Sequence, residues 1–176
     1  MEYGNTIGKV LFTQEQIWRR AEELGQEISE DYAGEKVVLI GTLKGAIPFM
    51  ADLMKNISLD IEIDFVAASS YGSGTESSGE VILKHDITLD LEGKHVILVE
   101  DIIDTGNTIK ALKAYLQKRG PKSVSICTLL DKPARRVVDV KGDYIGFVVE
   151  DLFIVGYGLD FDQKYRNLPY ISYLEG

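Results

Sequence analysis

The chain is poor in cysteine, in basic residues and in long apolar runs, and each shortage excludes a class of protein. Its one cysteine, Cys127, excludes an intramolecular disulfide framework and any multi-cysteine metal site. Cys127 lies within an apolar run, which predicts a buried strand position rather than a nucleophile. A chain of this kind fits a reducing compartment, and we expect a cytoplasmic location.

The other two shortages exclude two kinds of partner. No apolar run approaches the roughly 18 residues needed to span a bilayer, and the N-terminus shows no secretory signal, so we expect no membrane partner. Acidic residues number 28 against 19 basic ones, which gives a net charge of −9 and a pI near 4.7. This excess disfavours nucleic-acid binding, because a nucleic-acid surface requires basic patches.

A length of 176 residues suits one well-buried domain, so residues 1–176 are interpreted as a single domain. Apolar runs that predict strands alternate with segments of helical spacing. In chain order we predict a helix over 13–32, a strand over 36–40, a helix over about 46–55, strands over 59–68, 80–84 and 95–99, a helix from 108 to about 120, and strands over 123–130 and 144–149. This alternation predicts an α/β fold whose central, mostly parallel sheet is flanked by helices and binds ligands at the carboxyl ends of its strands.

The most informative stretch is residues 96–108, which read V-I-L-V-E-D-I-I-D-T-G-N-T. An apolar strand is followed by acidic residues and then by a short turn that enters a helix. A helix N-terminus binds phosphate well, because it offers unpaired backbone N–H groups and a partial positive charge. We therefore expect the turn to hold a 5-phosphate; its residues are Thr105, Gly106, Asn107 and Thr108.

Glu100 and Asp101 are predicted to lie where this strand ends. Paired carboxylates can accept hydrogen bonds from the 2′- and 3′-hydroxyls of a ribose, or bind Mg²⁺ through oxygen. The alternative is that both are solvated charges and that Thr108 only caps the helix. Together with the turn that follows, the acidic pair predicts a ribose 5-phosphate site.

An acidic chain must bind a polyanionic substrate through local devices such as helix N-termini, Mg²⁺ and a few cations. Lys44, Lys132 and Arg166 are the candidate cations. Lys44 and Gly45 lie in a loop between a predicted strand and a helix, which makes a second phosphate-binding loop. Segments 41–45, 100–108 and 131–133 each follow a strand, so one site can use all three.

These motifs resemble the type I phosphoribosyltransferases, specifically the hypoxanthine-guanine phosphoribosyltransferases, over residues 37–166. The resemblance implies the type I phosphoribosyltransferase fold, with a core over about 36–143 and a small hood over the base site from about 1–12 and 144–176. It implies Mg²⁺-dependent transfer of a phosphoribosyl group from phosphoribosyl pyrophosphate to hypoxanthine or guanine, with release of pyrophosphate. A homodimer or homotetramer is also implied.

The same resemblance implies roles for single residues. Asp104 matches the general base or acid near purine N7. Lys132 matches a donor to the exocyclic carbonyl of a 6-oxopurine, which would reject adenine because adenine also presents a donor there. Lys44, Gly45 and Arg166 match residues that bind pyrophosphate, and Glu100 and Asp101 match ligands of the first Mg²⁺. Around the purine, Phe153 matches the stacking aromatic, Ile154 the residue at the base edge, and Asp160 a carboxylate beside the purine and a second Mg²⁺. Ser70 and Tyr71 match the start of the mobile loop, which continues over the Gly- and Ser-rich residues 72–79.

Two alternative functions stay open. Regulators with this fold bind phosphoribosyl pyrophosphate or nucleotides without catalysis, although the acidic pI and the pairing of Asp104 with Lys132 count against a regulator. The second alternative is a phosphoribosyltransferase for another base, such as xanthine. Preference among hypoxanthine, guanine and xanthine depends on groups around purine C2, and those groups can be backbone carbonyls that a sequence does not reveal. In this family the peptide between Leu43 and Lys44 can also be cis.

Overall fold

The described part of the chain forms three α-helices and eight strands. The computed structural model describes residues 6–70 and 81–176. The helices are α1 Gln14–Asp31, α2 Ile47–Met54 and α3 Asn107–Gln117; the strands are β1 Val37–Thr42, β2 Ile61–Ser70, β3 Val81–His85, β4 His95–Ile103, β5 Ser123–Asp131, β6 Tyr144–Val148, β7 Ile154–Val155 and β8 Ser172–Tyr173. Within the described ranges, no helix is both long and apolar enough to cross a membrane.

Six strands form the central sheet, in the order β3-β2-β1-β4-β5-β6. All neighbours are parallel except β2 and β3, which pair antiparallel. The α/β fold with a mostly parallel, helix-flanked sheet is confirmed. β1 and β4 lie side by side at the centre, so the loops that follow them share one edge of the sheet.

Both faces of the sheet are covered, which explains the continuous apolar runs of its central strands. Val37 and Leu39 pack with α1 and α2 on one face, whereas Val38 and Ile40 pack with α3 on the other. The alternation follows from the two-residue period of a strand. Covering both faces leaves the carboxyl edge of the sheet as the place where polar groups collect.

Two boundaries near the predicted site differ from the sequence prediction. β4 does not end before its acidic pair but continues to Ile103, so the prediction that Glu100 and Asp101 follow the strand was wrong. The reason is pairing with β5: Glu100 lies opposite Thr128 and Ile102 opposite Leu130, so the ladder holds the charged residues in extended backbone. Helix α3 begins at Asn107, slightly earlier than predicted.

The N-terminal helix follows its sequence signal. Thr13 caps α1, and the side chains of Thr13 and Gln16 exchange bonds with each other's backbone N–H at 3.3 and 2.8 Å, as a capping box requires. Ile17, Leu24 and Ile28 are fully buried on one face of this helix. α1 is therefore a packing helix that supports the sheet.

The C-terminal segment adds a small second sheet that the sequence did not predict. β7 and β8 pair antiparallel, and isolated bridges join Ile7 to Leu174 and Phe12 to Ile171. Both ends of the described chain therefore meet at this small sheet. β6 pairs with β5 in the large sheet. The proposed division into core and hood stays a prediction.

Candidate active site

The acidic pair lies beside the end of β1. Thr42 Oγ1 donates to Glu100 Oε1 at 2.6 Å, and the backbone N–H of Asp101 donates to the same oxygen at 3.0 Å. Burial raises the pKa of Glu100 well above its ordinary value, and the neighbouring Asp101 charge raises it further. A bound cation or hydroxyl donor would offset this cost, so the pair is suited to receive either.

Two clefts open along this edge of the sheet, and Asp101 and Ile102 line both of them. The first has a volume of about 260 Å³ and includes Thr42, Leu43, Gly45, Glu100 and Thr108 in its lining. The second has a volume of about 270 Å³ and includes Asp104, Lys132, Phe153, Ile154, Leu159 and Asp160. Of the residues predicted for ribose and phosphate, Glu100, Asp101 and Thr108 line the first cleft. The second cleft is lined by the residues predicted for the base, which are Lys132, Phe153, Ile154 and Asp160.

Gly106 forms the N-cap of α3, with a φ of +89° that favours glycine. A side chain here would collide with Val140 and Arg136. Gly106 has no side chain to cap the helix, and the backbone N–H of Asn107 donates to Thr105 Oγ1 in a long hydrogen bond of 3.4 Å. The backbone N–H groups that follow in the first turn of α3 stay available to a ligand, as a phosphate site requires.

The loop after β1 is the second phosphate candidate. The peptide between Leu43 and Lys44 is cis, as the family allows. The Gly45 backbone packs directly against the Asp101 carboxylate, which would have to move to admit a Cβ at Gly45. Lys44 is exposed, and its Nζ donates to the side-chain oxygen of Gln163 at 3.1 Å. This loop therefore carries a cation, Lys44, next to the glycine that packs against Asp101.

Lys132 is not the solvated surface charge that most lysines are. Only 7% of its surface is exposed, and its Nζ donates to the carbonyl of Leu152 at 2.7 Å. Its backbone N–H donates to the carbonyl of Ile103 at 3.0 Å. Because an ammonium group has three donors, the Leu152 carbonyl leaves capacity for another acceptor in the cleft.

Asp104 lies between the end of β4 and the start of α3. Its Oδ1 is buried, and it accepts no hydrogen bond within the described residues. The Nε of Arg135 lies 3.5 Å from that oxygen, and Arg136 Nε donates to the Asp104 carbonyl at 3.2 Å. The backbone of Asp104 is therefore held in place while its carboxylate lines the second cleft.

The remaining predicted residues lie in the C-terminal segment. Phe153 meets Phe161 edge to face, with ring centroids 5.4 Å apart, and Ile154 is buried in β7. Arg166 Nη1 donates to the Gly158 carbonyl at 2.7 Å, and its Nη2 lies 3.1 Å from an Asp160 oxygen. These bonds hold the Arg166 guanidinium beside Asp160, which lines the second cleft.

Comparisons with known proteins agree with this geometry. The phosphoribosyl transferase domain matches residues 9–162. The chain is 51% identical over 171 residues to the hypoxanthine-guanine phosphoribosyltransferase of Streptococcus pneumoniae, covering 97% of this chain and 95% of that protein. It is 52% identical over 169 residues to the enzyme of the same name from Streptococcus thermophilus, covering 96% and 94%. The chain belongs to the phosphoribosyl transferase family.

A solved structure supports the same family assignment. The hypoxanthine phosphoribosyltransferase of Staphylococcus aureus superposes with a TM-score of 0.93 at 46% identity, and the match covers 97% of this chain and 93% of that one. The resemblance inferred from the sequence motifs is therefore confirmed, and the fold is that of the type I phosphoribosyltransferases.

Sequence reasoning missed three residues of this phosphoribosyltransferase site. Thr42 holds Glu100, and Gln163 contacts Lys44. Arg136 donates to the carbonyls of Asp104 and Val140 and forms an ion pair with the Asp131 carboxylate. These bonds stabilise the backbone just before the turn that enters α3. Thr42 lies in the predicted loop segment 41–45, although no role was assigned to it, and the basic pair directly after Lys132-Pro133-Ala134 was the available signal for Arg136. Gln163 has no local motif.

Two predictions meet the limits of the described residues. Ser70 is the last residue of β2, whereas Tyr71 and the rest of the predicted mobile loop lie outside the described ranges. Within those ranges, no group of three or more His, Cys, Asp or Glu side chains could hold a metal ion alone.

Proposed function

We propose that this chain is a hypoxanthine-guanine phosphoribosyltransferase of purine salvage. It transfers the 5-phosphoribosyl group of phosphoribosyl pyrophosphate to N9 of hypoxanthine or guanine, and the products are IMP or GMP and pyrophosphate. One observation carries this proposal, which is that two clefts share the Asp101 carboxylate. The first cleft contains Glu100 and the start of α3, and the second contains the buried Lys132 and Phe153. A sugar phosphate and a base can therefore meet at one carboxylate.

Phosphate and ribose are assigned to the first cleft. The N-terminal N–H groups of α3 and the hydroxyls of Thr105 and Thr108 would receive the 5-phosphate, with Gly106 and Asn107 in the same turn. The carboxylates of Glu100 and Asp101 would accept hydrogen bonds from the ribose hydroxyls. Support for this assignment is the uncapped start of α3 and the shared lining of the cleft.

Lys44, Gly45 and Arg166 are assigned to the leaving pyrophosphate. The donor set also fits Mg²⁺, because Glu100 and Asp101 offer the oxygen ligands that this ion prefers, with Asp160 available for a second ion. When bound, Mg²⁺ neutralises negative charge on the departing diphosphate. The cations contribute in the same direction, since they stabilise charge that grows as the bond from C1′ to the diphosphate oxygen breaks.

The purine is assigned to the second cleft. Phe153 would stack on the ring, Ile154 would meet the base edge through its backbone, and the Nζ of Lys132 would donate to the exocyclic oxygen at C6. Adenine presents an amino group there, and a donor facing a buried donor leaves both unpaired. The support is the burial of Lys132, whose Nζ donates to the Leu152 carbonyl and lies 3.9 Å from a carboxylate oxygen of Asp151.

Asp104 is assigned the role of proton acceptor. As N9 bonds to C1′, the purine must lose one ring proton, and the Asp104 carboxylate accepts it near N7. The carboxylate lies at the start of a helix, where a negative charge is stabilised. The same carboxyl group returns the proton in the reverse reaction. We further propose a cytoplasmic location and a homodimeric or homotetrameric assembly.

A spectrophotometric assay of nucleotide formation tests the function. Hypoxanthine, guanine, xanthine and adenine are each offered with phosphoribosyl pyrophosphate, with Mg²⁺ and after its removal by a chelator. We expect IMP and GMP only with Mg²⁺, and little use of adenine. Binding of phosphoribosyl pyrophosphate with no nucleotide from any base would support a regulator instead, and efficient use of adenine would contradict the role of Lys132.

A further inference from the structure

The side-chain oxygen of Gln163 lies between two of the cations assigned to pyrophosphate. Lys44 Nζ donates to Gln163 Oε1 at 3.1 Å, and Arg166 Nη2 donates to the same oxygen at 3.3 Å. We propose that Gln163 is a built-in competitor of pyrophosphate: its amide oxygen occupies these donors in the empty site, and the diphosphate must displace it. This inference rests on the proposed function, because it assumes that Lys44 and Arg166 bind the diphosphate.

The turn that carries Gln163 is held in an uncommon conformation. Asp162, Gln163 and Tyr165 have φ values of +50°, +65° and +75°, in the left-handed region that residues other than glycine rarely adopt. Backbone N–H groups of Phe161 and Lys164 donate to each other's carbonyls at 3.1 and 3.0 Å. The turn is therefore closed by its own backbone, which directs the Gln163 side chain despite the unfavourable φ.

A side chain of the same site anchors this turn. The backbone N–H of Gln163 donates to Asp160 Oδ2 at 2.8 Å, and the other oxygen of Asp160 lies 3.1 Å from Arg166 Nη2. Arg166 thus contacts both the Asp160 carboxylate and the Gln163 amide. The Arg166 Nε is buried and has no acceptor within the described residues, so at least one N–H of this guanidinium is left without a hydrogen bond to the described protein.

The chemistry of the amide explains why a substrate can displace it. An amide oxygen accepts hydrogen bonds as a phosphoryl oxygen does, but it carries no net charge. Charge-assisted bonds from a lysine and an arginine to a diphosphate are stronger than those to a neutral acceptor. Gln163 therefore keeps the two cations in place without binding them as tightly as the diphosphate does.

Two substitutions at this position should act in opposite directions. Gln163→Ala removes the competing acceptor, so pyrophosphate should bind more tightly. Gln163→Glu places a carboxylate between Lys44 and Arg166, which forms two ion pairs and repels the diphosphate, so binding should weaken. A side chain with only a structural role would weaken binding in both variants.

Isothermal titration of the whole protein with inorganic pyrophosphate in MgCl₂ measures this directly. For Gln163→Ala we expect a Kd about threefold lower than wild type, the size of one exposed hydrogen bond. For Gln163→Glu we expect a Kd about fivefold to tenfold higher, and this increase should shrink at high salt because exposed ion pairs are screened. An unchanged or raised Kd in Gln163→Ala would overturn the proposal.

Asn167 provides matched controls, since it is an exposed amide four residues further along the same segment. Asn167→Ala and Asn167→Asp should each change the Kd less than twofold. If Asn167→Asp weakened binding as much as Gln163→Glu, the effect would be one of net charge and the proposal would fail. Thermal unfolding of all four variants checks that each is folded.

Failure of the proposed function is distinguishable from failure of this inference. Titration with pyrophosphate needs no turnover, whereas nucleotide formation by the wild type tests the reaction. A wild type that binds pyrophosphate but makes no nucleotide contradicts the function, and the order of the three Kd values then still supports the competitor. A wild type that does not bind pyrophosphate overturns the competitor.

Discussion

Two parts of the site are built in contrasting ways. The first, the phosphate region over residues 95–117, is a strand, one turn and a helix. The second, the C-terminal turn region over residues 156–166, has no regular element. In the phosphate region, Gly106 is the one residue with a positive φ. The turn region has six: Gly156, Tyr157, Gly158, Asp162, Gln163 and Tyr165.

The contrast shows two ways to position a ligand group. In the phosphate region, backbone N–H groups at a helix start are left without partners by regular geometry, and one glycine supplies the turn. In the turn region, side-chain bonds hold the backbone: Arg166 donates to the Gly158 carbonyl within the region, and the Tyr157 hydroxyl donates to the distant Asp52 on α2. We expect local substitutions to damage the first region and loss of tertiary bonds to damage the second.

The largest effect on activity is expected from a substitution that removes the proton acceptor and leaves the backbone of both regions unchanged. Asp104→Asn keeps the shape of the side chain at the end of β4 but loses the proton acceptor, so kcat should fall about 10³-fold. The KM for phosphoribosyl pyrophosphate should stay within about threefold, because its contacts are kept. Steady-state kinetics measure both values.

Asp139→Asn is the matched control for Asp104→Asn, since Asp139 is exposed and the loss of charge is the same. Its kcat should equal that of the wild type. An Asp104→Asn enzyme with unchanged kcat would remove Asp104 from the mechanism.

Lys132→Ala tests the purine cleft, where a buried donor is held by the Leu152 carbonyl. We expect kcat/KM for hypoxanthine to fall about 10²-fold, and the preference over adenine to narrow, because the donor that rejects an amino group is gone. Competition between the two bases measures this preference. Lys141→Ala, at an exposed lysine, should leave it unchanged. Unaltered selectivity in Lys132→Ala would defeat the assignment.

Gly106→Ala tests the phosphate region at the one residue that has a positive φ. Strain in the left-handed region and collision with Val140 and Arg136 should together lower the free energy of unfolding by about 2–4 kcal/mol. Gly93→Ala is the control, since Gly93 has a φ of +70° but open space around it, and should cost about 1 kcal/mol. Equal losses in urea unfolding would show that packing against Gly106 contributes nothing.

The smallest effect is expected from a tertiary bond of the turn region. Tyr157→Phe removes the hydroxyl that donates to Asp52, so we expect a loss of about 1 kcal/mol in stability. The KM for phosphoribosyl pyrophosphate should also rise about twofold, because the neighbouring Gly158 packs against Gly45. Thermal unfolding and kinetics measure the two effects.

Trp18→Phe is the control for the tyrosine variant, because Trp18 Nε1 donates to the same Asp52 oxygen at 3.2 Å and its side chain is 48% exposed. It should lower stability without changing KM. A wild-type KM in Tyr157→Phe would show that the turn keeps its position without this bond.

Several features of the site could be predicted from local patterns. The apolar run of β4, the acidic pair and the turn into α3 are adjacent in the chain, so their chemistry is readable there. The end of β4 was predicted wrongly, because pairing with β5 carries the strand past Glu100 and Asp101. A ladder partner is not visible in the segment itself, and this is why strand ends depend on tertiary structure.

The α/β fold, the turn into α3 and the family could be predicted without the structure, because each depends on residue types and on their order along the chain. Tertiary structure alone decided that Lys132 is buried, that Asp101 lines both clefts, and that Gln163 meets Lys44 across 119 positions of the chain. The physical reason is the same in each case. Burial and long-range hydrogen bonds depend on what other segments bring to a position, and in the turn region those bonds hold residues at φ values that their own preferences disfavour.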